Sequence, residues 1–74
     1  MNRTRDAKIL KKFGKHLEGI RKRKDLSLRK LADIADVDFS QIHRIEKGES
    51  NPSLTMLLAL AEALNVSINE LLNY

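Results

Sequence analysis

Several residue types are scarce in this chain of 74 residues, and each scarcity narrows the possible folds and functions. The absence of cysteine excludes disulfides and thiolate metal sites, so the default expectation is a reducing, cytoplasmic setting. Tryptophan is absent and aromatic residues make up only 4% of the chain, which favours helical packing over a β-sheet. No run of about 18 apolar residues occurs, so we expect no membrane span.

Aliphatic residues are abundant instead. The chain has twelve leucines, six isoleucines and two valines. A chain of this length forms at most one domain, which we expect to span residues 1–74. Folding is marginal at this size, and the many aliphatic side chains compensate for the small core.

The charge of the chain is unevenly distributed. The formal net charge is +4, but residues 1–24 carry +8, residues 25–47 carry −1 and residues 48–74 carry −3. A strongly basic end attracts polyanions, and nucleic acid is the first candidate. The alternative is that these lysines and arginines simply solvate one helix.

The apolar spacing predicts five short helices, over residues 6–24, 28–35, 39–47, 54–64 and 68–72. Good N-cap residues precede the last four of them: Ser27, Asp38, Ser53 and Ser67. The fourth helix is the most apolar, and we expect its leucines, including Leu54 and Leu58, to lie in the core. Short helices with tight connections predict an all-α, five-helix orthogonal bundle.

Two glycines stand at informative positions. Gly14 lies beside the apolar face of helix 1, where it costs roughly 1 kcal/mol of helix propensity relative to alanine. Close approach of another helix would explain its presence there. Gly48 follows helix 3, where we expect the chain to leave the helix in a left-handed conformation.

The second and third helices, with the short turn between them, are the most informative feature of the sequence. Ala32 is small where the two helices would cross, and Val37, Ile42 and Ile45 fix helix 3 from behind. This pattern is typical of a helix-turn-helix unit. The usual partner of such a unit is the major groove of double-stranded DNA.

The polar residues left on the outward face of helix 3 are the candidate base contacts: Phe39, Ser40, Gln41, His43 and Arg44. Glutamine pairs with adenine and arginine with guanine through two hydrogen bonds, and an aromatic ring lies against a thymine methyl group. The candidate phosphate contacts lie at helix ends and in the loop after helix 3: Ser27, Arg29, Lys30, Lys47, Asn51 and Ser53.

Simpler structural explanations exist for several of these side chains. In one alternative Phe39 folds back onto the core. In another, Gln41 only completes a capping box with Asp38. The simpler explanation for His43 is that it is an ordinary surface residue. For Lys47 it is that its charge complements the dipole of helix 3.

A longer series of residues, over about residues 9–72, includes this helix-turn-helix unit. Its members are Ile20-Arg21, Leu26-Ser27, Leu31-Ala32, Val37, Ile42, Arg44-Ile45-Glu46-Lys47-Gly48, Asn51-Pro52-Ser53-Leu54, Leu57-Leu58, Leu60-Ala61-Glu62-Ala63-Leu64-Asn65-Val66 and Leu71-Leu72. In them the chain resembles the phage Cro and repressor-type helix-turn-helix family, and its size is similar to that of restriction–modification controller proteins. The resemblance implies a lambda-repressor-like five-helix fold, dimeric binding to pseudo-palindromic DNA and control of transcription. We therefore expect a homodimeric repressor or autoregulator. It also implies a buried ion pair, Arg21 with Glu46, that joins helix 1 to helix 3.

Two positions depart from the family pattern. Many members carry glutamine at the position of Leu28, where it braces the first recognition residue and touches a phosphate. Leucine does neither, so we expect Arg29 or Ser27 to supply the phosphate contact. The turn often carries glycine where this chain has Asp36, and aspartate tolerates the left-handed region moderately well.

A homodimer is expected because one subunit of this size offers few base contacts and symmetry doubles them. We expect helices 4 and 5 to form its interface, through the apolar residues Met56, Ile68, Leu72 and Tyr74. The alternative is that some of these side chains only complete the core.

Two other functions stay open. An antitoxin would bind a toxin protein first and DNA second, and would favour an extra tail to wrap that partner. A protein-interaction module would have kept the fold and lost DNA binding, which the acids Asp33, Asp36 and Asp38 near the turn favour. Catalysis is not expected, because no nucleophile–base set, metal-ligand spacing or phosphate loop occurs. No cofactor, metal or small-molecule effector is indicated.

Overall fold

The computed structural model describes residues 3–74, with side chains from residue 6 onward. Five α-helices follow one another, and no strand occurs among the described residues, which confirms the all-α prediction. The helices are α1 (Arg3–Arg23), α2 (Leu28–Ala35), α3 (Phe39–Glu46), α4 (Leu54–Leu64) and α5 (Ile68–Leu72). Residues 1 and 2 of the predicted domain lie outside the described part.

The helices begin at the predicted caps. A side-chain oxygen accepts a hydrogen bond from the backbone N–H three residues on, at 3.0–3.1 Å, in three serines: Ser27, Ser53 and Ser67. The capping box expected between Asp38 and Gln41 does not form. Asp38 Oδ1 instead accepts from Ser40 N at 3.1 Å. The Gln41 side chain is therefore not needed to begin α3.

Left-handed residues end three of the helices, with φ of 57–58°: Asp25, Asp36 and Asn65. Gly48 ends α3 in the same region with φ 74°, as the sequence predicts. The left-handed conformation of Asp25 is not predicted from the sequence, because aspartate marks caps and turns of many kinds. It lets the chain turn from α1 into α2 within a few residues.

A single core forms from side chains of all five helices: Phe13, Leu17, Ile20, Leu31, Ala32, Ile42, Ile45, Leu60, Ala61, Leu64 and Leu71. Burying each large aliphatic side chain contributes about 1.5–3 kcal/mol before entropy losses. Two of these residues, Ile42 and Ile45, belong to α3. The core therefore holds α3 by one face and leaves the other face at the surface.

The burial of α4 differs from the prediction. Leu60, Ala61 and Leu64 face the core, but Leu54 is 68% exposed and Leu58 is 48% exposed, so their predicted place in the core is wrong. A helix on a small bundle buries one stripe of side chains. At about 100° per residue, Leu54 and Leu58 lie beyond the edge of that stripe.

Glycines allow α1 to cross the end of α3 at very short range. A Cβ atom at Gly14 would lie 2.6 Å from the Ile45 carbonyl oxygen and closer still to that of Glu46. A Cβ atom at Gly48 would lie 2.7 Å from Cγ of Lys11. The expectation that another helix approaches Gly14 is confirmed, and the contact is between backbones.

Candidate nucleic-acid interface

The connection between α2 and α3 determines how α3 is presented. Asp36 adopts φ 58° and ψ 46°, and the N–H of Val37 bonds back to the Ala32 carbonyl at 3.0 Å. Asp38 then caps α3 from an extended conformation. Ala32 is buried where α2 and α3 pack together, so no large side chain separates the helices.

The outward face of α3 carries the candidate base contacts: Phe39, Gln41, His43 and Arg44 are exposed, and Ser40 is half-buried. Lys47, just beyond the helix, is exposed as well. An α-helix with its side chains is about 10–12 Å in diameter, and the major groove of DNA is about 12 Å wide. The surface of α3 therefore has the dimensions and the donor groups of a helix that reads base edges.

A groove runs between α3 and the start of α4. It is lined by Gln41, Arg44, Ile45, Ser50, Asn51, Pro52, Ser53 and Met56. Two candidate base contacts, Gln41 and Arg44, thus share one concavity with two candidate phosphate contacts, Asn51 and Ser53. A DNA strand that enters this groove would meet both kinds of group.

A second groove lies on the other side of α3, where α1 crosses its end. Its lining residues are Lys11, Lys15, Glu18, Leu28, His43, Glu46 and Lys47. His43 and Lys47 therefore lie beside two lysines of α1. No local motif in the sequence marks Lys11 and Lys15 as contacts. The available signals were the +8 charge of residues 1–24 and the spacing of four residues, which places both lysines on one face of α1.

Phe39 does not fold back onto the core. Its side chain is 37% exposed, and the Arg29 guanidinium lies over the ring, with Cζ 4.6 Å from the ring centroid. Arg29 belongs to the first turn of α2, so this contact joins the beginnings of α2 and α3. The first residue of α3 is held from outside the core by a cation.

The candidate phosphate contacts at the helix starts already serve as caps in part. Ser27 Oγ accepts from Lys30 N, and Ser53 Oγ accepts from Met56 N. Their hydroxyl groups also carry a proton that a phosphate oxygen can accept. The first backbone N–H groups of α2 and α4 have no acceptor within their helices, which makes these helix ends suited to anions.

An ion pair holds α3 against α1. Arg21 Nε donates to Glu46 Oε2 at 2.7 Å and Nη2 donates to Oε1 at 3.0 Å. The two side chains are only 9% and 5% exposed. The hydrogen bond to Glu46, opposed by the cost of burial, raises the pKa of Arg21, so its positive charge is permanent. Because the atoms of this ion pair are buried, the pair affects the candidate interface through the position of α3.

The four residues expected at a dimer interface differ in how far they are exposed. Met56 lines the groove beside Gln41 and Arg44, and Ile68 is half-buried against the core. Leu72 and Tyr74 are 46% and 51% exposed. Large apolar surface is open on α4 at the unexpected Leu54 and Leu58, at the end of α5 at Leu72, and just beyond α5 at Tyr74, whose ring lies beside Phe13 and His16 of α1.

Within the described part of the chain, no three His, Asp or Glu side chains are grouped as metal ligands. None of the helices in residues 3–74 combines the length and apolarity needed to cross a membrane.

Comparison of the sequence with protein families assigns most of the chain to a single family. The model of the helix-turn-helix family HTH_3 matches residues 17–71, from the end of α1 into α5. No protein of curated function matches the chain.

Solved structures give the same result. The restriction-modification controller protein C.AhdI from Aeromonas hydrophila is 38% identical, with a TM-score of 0.82, over 88% of this chain and 97% of that protein. An HTH_3 family transcriptional regulator from Vibrio cholerae is 28% identical, with a TM-score of 0.86, over 92% of this chain and 38% of the other. The clp gene regulator ClgR from Corynebacterium glutamicum is 26% identical, with a TM-score of 0.83, over 88% and 69%.

The family match and the exposed face of α3 point to the same kind of protein. Its relatives regulate transcription, and the residues on α3 are donors and acceptors suited to base edges, not catalytic groups. The chain belongs to the helix-turn-helix family of Cro- and repressor-type transcriptional regulators, which bind DNA and are not enzymes.

Proposed function

We propose that the chain is a homodimeric repressor or autoregulator that reads a pseudo-palindromic operator through residues 39–47. The observation that carries this proposal is the exposed face of α3, which is backed by the buried residues Ile42 and Ile45. Polar side chains and Arg44 line the groove toward α4, and three lysines line the groove toward α1 beside Glu18 and the buried Glu46. A DNA backbone on either side would therefore find donors there.

The base contacts centre on Ser40 and Arg44. These two residues and Lys47 lie within about 60° of one another around the helix axis, opposite Ile42 and Ile45. Arg44 donates two hydrogen bonds to a guanine, and Ser40 bonds a base edge or a phosphate. Gln41, which has no capping role here, faces the groove toward α4 and pairs with adenine.

The phosphate contacts flank α3. Asn51 and Ser53 serve one strand through the groove beside Gln41 and Arg44. On the other side, Lys47 acts together with Lys11 and Lys15 of α1. The start of α2 contributes through Ser27 and Lys30. Each charged contact releases counterions, so affinity falls steeply with salt.

Dimer formation is supported by the apolar surface on α4 and α5. Leu54, Leu58, Leu72 and Tyr74 are all exposed, and Leu72 and Tyr74 line a shallow apolar groove with Ile9 and Leu57. A stable interface buries about 800 Å² on each subunit. Symmetry would place two copies of α3 about 34 Å apart, one turn of DNA.

Selection of binding sites from a random DNA pool by the full chain tests the proposal, followed by titration at several salt concentrations. The expected result is a twofold-symmetric motif, bound by two chains with a steep salt dependence. Arg44→Ala should weaken the selected sequence and relax its preference at one symmetric pair of positions. Lys12→Ala is the matched control, because Lys12 is exposed on α1 and lines neither groove beside α3.

Two outcomes would contradict this proposal. A pool that yields no enriched motif, with weak and uniform binding, would favour a protein-interaction module with the same fold. An enriched motif bound by one chain per site, in sedimentation at micromolar concentration, would remove the homodimer. An antitoxin would instead require a toxin protein that binds the chain more tightly than DNA does.

A further inference from the structure

Arg29 and Phe39 form a stacked pair at the surface where α2 and α3 begin. The guanidinium carbon lies 4.6 Å from the centroid of the phenyl ring, which is the geometry of a cation–π contact. One residue comes from each helix of the helix-turn-helix unit. The pair therefore couples the two helices at the end that faces DNA in the proposed function.

Arg29 stacks on the ring although a carboxylate is close in sequence. Asp33 lies one turn along α2, a spacing that suits an ion pair. The salt bridges of the described residues nevertheless involve Arg21 and Lys22 and not Arg29. The side-chain hydrogen bonds of that part of the chain do not include Arg29 either. The contact with the ring takes up none of the acceptors that the guanidinium N–H groups can bind, so these donors stay open to another acceptor.

Phe39 also keeps an open surface. It is 37% exposed and belongs to neither the core nor the residues packed against it. It is the first residue of α3, and the beginning of a recognition helix is the part that reaches base edges. The adjacent Leu28 has no donor or acceptor in its side chain, so Arg29 is the polar partner of Phe39 from α2.

We propose that Arg29 and Phe39 read one base step as a unit. The Phe39 ring contacts the C5 methyl group of a thymine, and the Arg29 guanidinium donates to O6 and N7 of the neighbouring guanine. Both groups are exposed in the major groove. Successive bases are about 3.4 Å apart along a strand, and the two side chains are 4.6 Å apart, so the stacked pair spans one step.

This inference rests on the proposed function and changes one of its parts. From the sequence alone Arg29 is expected to be a phosphate contact, which would be indifferent to base sequence. In the stacked geometry Arg29 instead positions Phe39 and contributes to specificity. In the family that this chain resembles, glutamine at the position of Leu28 braces the first recognition residue. In this chain the contact between Arg29 and Phe39 takes that role.

The first test uses the unaltered protein and the operator selected from the random pool. Each thymine is replaced by deoxyuridine, which lacks only the C5 methyl group, at both symmetric positions in turn. At one pair of positions we expect a loss of about fourfold in affinity for each half-site. Replacing the same thymine by cytosine should weaken binding, and 5-methylcytosine should recover more affinity than cytosine does.

The second test separates base reading from phosphate binding. Arg29→Ala and Arg29→Lys should both reduce the preference for guanine beside the methyl-bearing base, roughly tenfold, because lysine lacks the planar fork that a guanine edge requires. They should also reduce the effect of deoxyuridine, because Phe39 is no longer held. Lys30→Ala, the neighbouring exposed cation, is the matched control and should weaken all sequences equally. Thermal melts should differ from the unaltered protein by a few degrees at most, because Arg29 is exposed and loses one cation–π contact.

Three outcomes would overturn the inference. Deoxyuridine at every position could leave affinity unchanged. Arg29→Lys could bind like the unaltered protein while Arg29→Ala weakens all sequences alike, which is the behaviour of a phosphate contact. If no symmetric motif is enriched, the proposed function fails and this inference fails with it. A symmetric motif that shows neither the methyl nor the guanine dependence overturns only the Arg29–Phe39 unit.

Discussion

Arg21 on α1 holds Glu46 on α3 through two hydrogen bonds, of 2.7 and 3.0 Å, and its remaining terminal nitrogen donates to the Leu26 carbonyl at 2.7 Å. One buried guanidinium thus joins α1, the connection to α2 and the end of the recognition helix. The backbones of α1 and α3 touch nearby, at Gly14. The orientation of the surface proposed to read DNA depends on this junction.

Removing the carboxylate should destabilise the fold strongly. Glu46→Ala leaves the Arg21 cation buried without its partner, at a cost of about 3–5 kcal/mol. In a domain of this size we expect a fall in melting temperature of more than about 10 °C, measured by circular dichroism. An unchanged melt would show that the pair does not stabilise the fold. Glu46→Gln, whose amide oxygen can still accept one of the two hydrogen bonds from Arg21, should lose less.

The stability contributed by Arg21 should not vary near neutral pH. Its pKa is raised by the hydrogen bond to Glu46, so the folded chain holds this proton more tightly than the unfolded chain. Stability from this group is therefore complete below its unfolded pKa and is lost only as strongly alkaline pH passes the folded pKa. Between about pH 6 and about pH 9, the melting temperature of the unaltered protein should therefore depend on pH no more than that of Arg21→Met does.

Two glycines of α1 should respond oppositely to alanine. Gly14→Ala places a Cβ atom against the carbonyl oxygens of Ile45 and Glu46, which are backbone atoms, so it should destabilise the fold by about 1–3 kcal/mol. Gly19 has no atom within 4 Å of the corresponding position. Gly19→Ala should stabilise by about 0.5–1 kcal/mol through helix propensity. Urea denaturation measures both, and equal effects would mean that α1 and α3 are not in backbone contact.

The turn between α2 and α3 should be improved by glycine. Asp36 has φ 58°, a region that costs an ordinary residue about 1–2 kcal/mol and glycine nothing. We expect Asp36→Gly to raise the melting temperature and Asp36→Asn to change it little. Both substitutions remove a negative charge near the proposed DNA face, so both should raise DNA affinity at low salt. If DNA affinity rises for Asp36→Gly alone, the backbone conformation at residue 36, and not the loss of charge, causes the effect.

Self-association should depend on the apolar surface of α4. Leu58→Ser should raise the dimer dissociation constant in sedimentation equilibrium, because it removes apolar surface from the proposed interface without opening the core. Ile34→Ser is the matched control, since Ile34 is 49% exposed on α2 and Leu58 is 48% exposed on α4. Equal dissociation constants for the two variants would locate the interface elsewhere.

Local signals predicted much of the fold. The serine caps and the left-handed Gly48 are where the sequence indicates, because capping is decided by a few neighbouring residues. The rotation of α4 about its axis was not predictable in the same way. All its leucines are equally apolar, and only packing against α2 and α5 decides that Leu60 is buried and Leu54 exposed.

Part of the candidate site was likewise predictable from local signals, and part of it was not. The residues of α3 that point outward follow from helical periodicity, once Ile42 and Ile45 are recognised as buried. The second groove brings together Lys11 and His43, which are 32 positions apart in the sequence, and no local pattern predicts such a meeting. The contact of Arg29 with Phe39 also requires the turn geometry that the left-handed Asp36 provides.

The sequence by itself therefore determined the helix-turn-helix family, the helix boundaries to within a few residues and the side chains available to meet DNA. These depend on periodicity, capping and composition, which act over a few residues. The tertiary structure alone decided that Gln41 is free of capping, that Met56 faces the groove beside α3, and that Arg29 lies on Phe39. Such relations depend on how helices rotate and cross, and many distant contacts set those variables together.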